Sequence, residues 1–248
     1  MTLPLPLPAR EPISTDRPDF VESSLVVGDG MTQVETSVAC ERAEAGSHLW
    51  NTPTLLRMGI NDALELRLET EGVVSAQDGA SPAFAEADVA DVSLGVKWHH
   101  QDGGKTGSWR PSSAWLLHVD LPTGGSPYRS EHATPSLRWV AEWQLAEGWS
   151  IGVMPGLAWT DDGGRGRTAK GIFGLAVGRE ITSNLRGFAE LAVPEIARND
   201  DGGTVASLNT GLAWRLGPDT QLDAAIGLGL NGNSPESAVT IGLSHRFR

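Results

Sequence analysis

Apolar and polar residues alternate along most of the chain, in successive segments of about ten residues. Within residues 63–73, Leu64 and Leu66 occupy alternate positions, and charged side chains occupy the positions between them. The same alternation returns in residues 220–231 and 238–248. Successive side chains of a strand point to opposite faces, whereas a helix would spread this pattern over its whole surface. The pattern therefore predicts β-strands that have one apolar and one polar face.

The alternation predicts twelve strands after a proline-rich, irregular first segment. The predicted strands span residues 31–42, 49–60, 63–73, 88–99, 111–121, 133–145, 149–160, 169–180, 184–194, 204–215, 220–231 and 238–248. Most connections alternate between short turns and longer polar loops, which is typical of antiparallel transmembrane β-barrels with their short turns in the periplasm. We therefore expect an irregular segment over 1–30 and an all-β barrel over 31–248.

Composition excludes several other classes of protein. The chain has 19 Lys and Arg residues against 31 Asp and Glu residues, a formal net charge of −12. An acidic chain of this kind is unsuited to a phosphate backbone, so nucleic acid is not an expected partner. The sequence has no apolar run long enough for a transmembrane helix. Its single cysteine, Cys40, excludes an internal disulfide framework. A membrane barrel and a soluble two-layer β-sandwich remain.

Charged side chains are confined to one face of the predicted strands. The apolar faces carry no Asp, Glu, Lys or Arg. The other faces carry Glu35, Arg57, Glu65, Arg67, Glu69, Asp91, Lys97, His118, Asp120, Arg138, Glu142, Arg186, Glu190 and Asp223. Such a face cannot pack as the dry core of a soluble protein. We expect these residues to line a wet lumen and to set its selectivity against anions, or to brace the wall by pairing with each other.

Aromatic residues gather near the predicted strand ends. Trp98, Trp143, Trp149, Trp214 and Phe247 lie beside short turns, and Trp50 and Trp159 lie near long loops. Indole rings favour the headgroup level of a bilayer and form girdles at both rims of a membrane barrel. A soluble sandwich would instead bury its tryptophans at mid-strand. The placement favours a barrel in contact with outer-membrane lipid.

Residues 15–23, which read T-D-R-P-D-F-V-E-S, resemble the opening of an outer-membrane family labelled "putative meta-pathway of phenol degradation" or "transporter". Leu121–Gly124 is similar to the L-P-T-G of that family, and Glu190 and Asp223 match two further positions. The resemblance implies a channel for passive uptake of small molecules, in particular aromatic or hydrophobic compounds. Phe247 is similar to the C-terminal aromatic that barrel-assembly machinery recognises, although here Arg248 follows it.

The resemblance implies the bacterial outer membrane as the location. A structural or adhesive barrel is the alternative function. The first residues lack the basic and apolar regions of a secretory signal, so we expect the native precursor to begin upstream of Met1.

The opening motif also predicts a role for the first segment. Its candidate residues are Asp16, Arg17 and Asp19. The Arg17 guanidinium can form paired bonds to a carboxylate, and Glu35 and Glu65 lie on the first strands. We expect residues 15–23 to enter the periplasmic mouth and narrow it; a loose periplasmic tail is the alternative.

Catalytic, cofactor and metal sites are not expected. Ser112 and His118 lie on one predicted strand face, but six residues separate them, about 20 Å along a strand. That distance is too great for a nucleophile and its base. The acidic stretch Asn199–Gly203 could hold calcium, although a solvated loop is the simpler interpretation. His99 and His100 are adjacent, and strand alternation sends them to opposite faces.

Overall fold

The computed structural model describes residues 11–43, 46–77, 87–126, 128–161, 167–198 and 202–248. Its strand segments are β1 (Thr32–Arg42), β2 (His48–Asn51), β3 (Thr54–Asn61), β4 (Leu64–Thr70), β5 (Val73–Gln77), β6 (Asp88–Val89), β7 (Val92–Gln101), β8 (Ser112–Leu121), β9 (Thr134–Ala146), β10 (Trp149–Asp161), β11 (Arg167–Glu180), β12 (Leu185–Ile196), β13 (Val205–Arg215), β14 (Thr220–Gly229) and β15 (Ser237–Phe247). All of them belong to one antiparallel sheet, which closes because β15 pairs with β1. The barrel prediction is confirmed, and the two-layer sandwich is excluded.

Three of the twelve barrel strands are each made of two segments. β2 and β3 form one strand, as do β4 with β5 and β6 with β7. Pro53, which has no N–H to donate, lies between β2 and β3. Gly72, at φ 69°, lies between β4 and β5, and β5 then pairs with β2 as far as Gln77. The prediction of unbroken strands over 49–60, 63–73 and 88–99 was therefore wrong in detail, because alternation does not report such local irregularities.

The two faces of the wall differ as the alternation predicted. Leu66, Ile226 and Ile241 point outward and are 40%, 47% and 65% exposed. Glu65 and Arg57, on the inward face, are completely buried. In the residues that the structure describes, there is no helix long and apolar enough to cross a membrane.

The aromatic residues occupy both ends of the barrel. Trp98, Trp149, Trp214 and Phe247 lie outward near the end that carries the C-terminal Arg248, and each is about half exposed. Trp143 lies at the same end and donates its indole N–H to the carbonyl of Trp109 at 2.7 Å. Trp50 and Trp159 lie at the opposite end, where the longer loops are. Their role at the membrane interface stays a prediction.

Residues 11–28 do not form a strand and lie inside the barrel; we call them the luminal segment. Ile13 at its start donates its N–H to the carbonyl of Pro218, in the turn between β13 and β14. Val21 at its middle is buried against β8, β9, β10 and β11. Val27 at its end bonds to β4. The segment therefore meets strands around the whole circumference of the barrel.

Candidate functional site

Four inward glutamates of the wall accept hydrogen bonds from backbone N–H groups of the luminal segment. The pairs are Glu35 with Asp16 and Arg17, Glu190 with Phe20 and Val21, Glu142 with Ser24, and Glu65 with Val27, at nitrogen–oxygen distances of 2.6 to 3.2 Å. A buried backbone N–H without a partner is costly, and an irregular segment has no neighbouring strand to supply one. The carboxylates of the wall take the place of that strand.

Basic side chains of the wall satisfy carbonyl groups of the same segment. Arg57 on β3 donates to the carbonyls of Ser14 and Leu25 at 3.0 and 2.7 Å. Lys97 on β7 donates to the carbonyl of Ser23 at 2.8 Å. Hydrogen bonds to charged groups are stronger than those between neutral groups. Charged side chains of the wall therefore bond to both the N–H groups and the carbonyl groups of the luminal segment.

The acidic side chains of the opening motif point into clusters of basic residues. Asp16 lies 2.6 Å from Arg67, 2.7 Å from Lys97 and 3.4 Å from Arg57. Further along the segment, Glu22 lies 2.7 Å from Arg67. The T-D-R-P-D-x-x-E-S pattern is therefore a set of charges that matches charges of the wall.

Asp19 and Glu22 form ion pairs with basic residues on the other side of the barrel. Asp19 accepts from Arg186 on β12 at 2.9 Å, and Glu22 accepts from Arg138 on β9 at 2.9 Å. The segment is therefore held by ion pairs on opposite walls.

Seven buried side chains form what we call the charged cluster: Asp16, Glu22, Glu35, Arg57, Glu65, Arg67 and Lys97. Arg57 bonds to Glu65 at 2.9 Å and to Glu35 at 3.0 Å, so the wall residues also pair with each other. Removal of one partner from a buried ion pair leaves an uncompensated charge, which costs about 3–5 kcal/mol. The cluster therefore couples the position of the luminal segment to the charge balance of the wall.

Asp16 is the central anion of this cluster. Burial alone would raise the pKa of its carboxyl, but the charges of Arg57, Lys97 and Arg67 outweigh burial and hold that pKa well below its usual range. A carboxyl whose folded-state pKa is depressed contributes its full stability above the ordinary carboxyl pKa. That stability is lost as the pH falls toward the lower folded-state value. The ion pairs of Asp16 therefore hold the segment fully at neutral pH and weaken only in acid.

An apolar cradle receives the middle of the segment. The side chain of Val21 packs on Leu116, Val140 and Met154 of the wall. It also lies over Gly174, where a Cβ atom would be 2.6 Å from a methyl carbon of Val21. Only a residue without a side chain leaves this room, so the glycine shapes the wall to the segment.

The luminal segment lies between cavities at the two ends of the barrel. A cavity of about 540 Å³, which we call the vestibule, lies on the side of the long loops and is bordered by Asp120 and Arg138. Cavities of about 780 and 470 Å³ lie at the opposite end, where Glu11 borders both of them. Asp16 and Asp19 border both the vestibule and the smaller of these two cavities. The backbone of the segment therefore separates the spaces at the two ends.

The structure corrects the expected partner of Arg17. We expected its guanidinium to pair with Glu35 or Glu65, but it lies 3.8 Å from Asp223 on β14 and donates to the Thr240 hydroxyl at 2.8 Å. Glu35 bonds instead to the backbone N–H of Arg17. Glu35 and Glu65 already form ion pairs with Arg57, which explains why Arg17 does not pair with them.

The other residues predicted to line the lumen lie on the inward face. Those that contact the luminal segment or its partners are Glu35, Arg57, Glu65, Arg67, Lys97, His118, Arg138, Glu142, Arg186, Glu190 and Asp223. Glu69, Asp91 and Asp120 border the vestibule. Their part in selectivity stays a prediction.

Two contributors escaped the sequence analysis. Glu22 joins the charged cluster, and Gln33 donates to the carbonyl of Ser14 at 2.9 Å. Glu22 lies within the opening motif, so its charge could have indicated an ion pair with the wall. Gln33 lies two positions before Glu35 and therefore on the same predicted inward face, which was its available signal.

The residues considered as catalytic or metal-binding candidates have other partners or lie apart from each other. Ser112 accepts from the Ser24 hydroxyl at 2.7 Å, and His118 accepts from Arg67 at 3.1 Å, so the two do not form a nucleophile and base. His99 bonds inward to the carbonyl of Ser24, whereas the ring of His100 lies outside, 5.7 Å from that of Trp98. In the described part of the chain, no three His, Cys, Asp or Glu side chains come together as a metal site would require. The predicted calcium loop is centred on residues 199–201, which lie outside the described residues.

These features define a transmembrane β-barrel of the bacterial outer membrane, with an N-terminal segment inside it. The chain belongs to the family described as "Putative MetA-pathway of phenol degradation", whose model matches residues 15–247. The resemblance drawn from the opening motif is thereby confirmed. A search among curated proteins finds no match.

Solved structures of outer-membrane proteins share the fold. An outer membrane channel from Pseudomonas putida F1 is 14% identical, with a TM-score of 0.68, and the match covers 91% of this chain and 98% of that one. The KdgM porin in complex with oligogalacturonate is 8% identical, with a TM-score of 0.61 and coverage of 87% and 99%. The NanC porin is 10% identical, with a TM-score of 0.57 and coverage of 86% and 98%. At these identities the likeness establishes the fold.

Proposed function

We propose that the protein is an outer-membrane channel for passive uptake of small solutes, and that the luminal segment closes it. The observation that carries this proposal is the position of Asp16 and Asp19, which border the vestibule on one side and a periplasmic cavity on the other. A solute that crosses the barrel must therefore displace part of the segment.

The way the segment is held suits a gate that opens without unfolding the barrel. Its polar contacts with the barrel strands are ion pairs and hydrogen bonds to side chains, whereas the strands of the wall bond to each other through their backbones. The wall therefore keeps its own hydrogen bonds when the segment moves. Water in the lumen can then solvate the charges that the segment leaves.

The family and the fold support this proposal. The family description refers to phenol degradation, which favours small aromatic or other hydrophobic compounds as solutes. The structures that share the fold are a channel and porins, so catalysis is no part of the proposal. We also propose that β15, which ends at Phe247, carries the signal read by the barrel-assembly machinery.

Deletion of residues 1–23 is expected to raise the single-channel conductance in planar bilayers, because it removes Asp16, Asp19 and Glu22 from the lumen. Arg17→Ala should raise it less, since that variant keeps the three acidic residues and their ion pairs. Heat-modifiable gel mobility reports whether each barrel is folded. An unchanged conductance of the folded deletion variant would show that the segment does not close the channel, and would favour the structural or adhesive alternative.

A further inference from the structure

We propose that the vestibule is a binding site for small aromatic solutes that carry a protonated amine. This inference rests on the proposed function, in which solutes enter from the side of the long loops. It names a chemical class of ligand and the residues that would bind it.

Three inward side chains form a row across neighbouring strands at the wall of the vestibule. Glu69 on β4 lies opposite Ser93 on β7, and Ser93 lies opposite Asp120 on β8. Neighbouring strands are about 4.8 Å apart, so a carboxylate stands on each side of the serine. A primary ammonium has three N–H donors, and this row offers it two anionic acceptors and a hydroxyl.

The members of this row have unused hydrogen-bonding capacity. Ser93 is 9% exposed, borders the vestibule, and its hydroxyl has no hydrogen-bond partner among the described residues. None of the described residues donates a hydrogen bond to the Asp120 carboxylate. Glu69 lies at 3.5 Å from Arg67 and 3.6 Å from His118, which are long contacts. A buried hydroxyl without a partner is costly, and a bound donor would relieve that cost.

Two aromatic rings border the same cavity. Phe20 of the luminal segment and Tyr128, the only tyrosine of the chain, both line it. The faces of aromatic rings attract cations and stack on other rings. Charged and aromatic groups together favour a ligand that has both an ammonium and a ring.

The L-P-T-G motif sets the position of Tyr128. The N–H of Gly124 donates to Asp91 at 2.7 Å, and a Cβ atom on this glycine would lie 2.9 Å from the backbone nitrogen of Asp91. Tyr128 then donates its N–H to the carbonyl of Gly125 at 2.8 Å. The motif therefore folds its loop onto the wall between β6 and β7, and this brings the tyrosine to the cavity.

The charge of the vestibule selects against anionic solutes. Asp16, Asp19, Glu22 and Glu35 are neutralised by basic residues of the wall. Glu69, Glu71, Asp91 and Asp120 also border the cavity, and its two arginines, Arg17 and Arg138, lie beside Asp223 and Glu22. A volume of about 540 Å³ is in the usual range for a small-molecule site.

Isothermal titration of the full-length protein in detergent micelles tests this site with benzylammonium, benzyl alcohol and benzoate. We expect benzylammonium to bind at least about tenfold more tightly than the other two, because only it can donate charged hydrogen bonds to the row. Titration of empty micelles subtracts partition into detergent. Equal affinity for the amine and the alcohol would overturn the proposal without the need for any variant.

Variants locate the site. Ser93→Ala and the double variant Glu69→Gln, Asp120→Asn are each expected to weaken benzylammonium binding, the double variant by about tenfold or more. Glu180→Gln removes the same kind of charge at the periplasmic end and should leave the affinity unchanged. Unaltered affinity in the double variant would overturn the assignment. Because binding is measured without passage, a failure here leaves the conductance test of the proposed function independent.

Discussion

Asp16→Ala is expected to release the luminal segment from the wall without unfolding the barrel. The substitution leaves Arg57, Arg67 and Lys97 without their shared partner, and each of these side chains is buried. Loss of one partner from a buried charge cluster costs about 3–5 kcal/mol. Hydrogen exchange at the backbone amides of Phe20 and Val21, which bond to Glu190, should become about 100- to 4,000-fold faster.

Asp29→Ala is the matched control for this experiment. Asp29 lies just beyond the luminal segment and is exposed, and its backbone N–H makes only a long bond to Asp62. Its removal should leave the exchange of Phe20 and Val21 unchanged. If Asp16→Ala also left that exchange unchanged, Asp16 would not hold the segment in the lumen.

Arginine at Leu66 or Ile226 is expected to destabilise the inserted barrel by about 2–4 kcal/mol, because an outward charge near the bilayer midplane loses water and gains no partner. The side chains of Leu66 and Ile226 are both exposed on the outer face. Reversible unfolding in urea from lipid vesicles measures the change in the free energy of unfolding.

Ala225→Arg is the control for the lipid-facing substitutions, since residue 225 precedes Ile226 and points inward. It lies opposite Thr240, the partner of Arg17, and therefore places its charge in the lumen. We expect a smaller loss of stability than for Ile226→Arg. Equal losses at 225 and 226 would contradict the assignment of the two faces.

The barrel could be predicted from the sequence because the signal for it is local and repeated. A period of two residues decides which face of a strand is apolar, and Leu66 and Glu65 illustrate it within two neighbouring positions. Strand order and closure follow when successive strands pair with their neighbours. The strands break at Pro53 and Gly72 because of the backbone properties of proline and glycine. The alternation of apolar and polar residues does not report these properties.

The partners of the luminal segment could be predicted only in part. The charges of the opening motif indicated ion pairs with the wall, but which wall residue meets Arg17 depends on how the segment crosses the barrel. Asp223 lies more than 200 positions further along the chain, and no spacing rule joins the two. The hydrogen bonds that Glu190 and Glu142 accept from backbone N–H groups could not be predicted either, since a backbone donor leaves no pattern in the sequence of the segment.

A disulfide lock between the luminal segment and the wall tests most directly whether this segment closes the channel. Val21 lies against Gly174, close enough for a cysteine pair, whose Cβ atoms are typically about 3.5–4.5 Å apart. The variant carries Val21→Cys and Gly174→Cys in a Cys40→Ser background, so that no other thiol is present. Single-channel current is recorded when the disulfide is oxidised, and again after a reductant is added. The account predicts that the oxidised channel stays closed and that reduction restores the openings of the Cys40→Ser protein. An oxidised, cross-linked channel that conducts as well as the protein lacking residues 1–23 would contradict it.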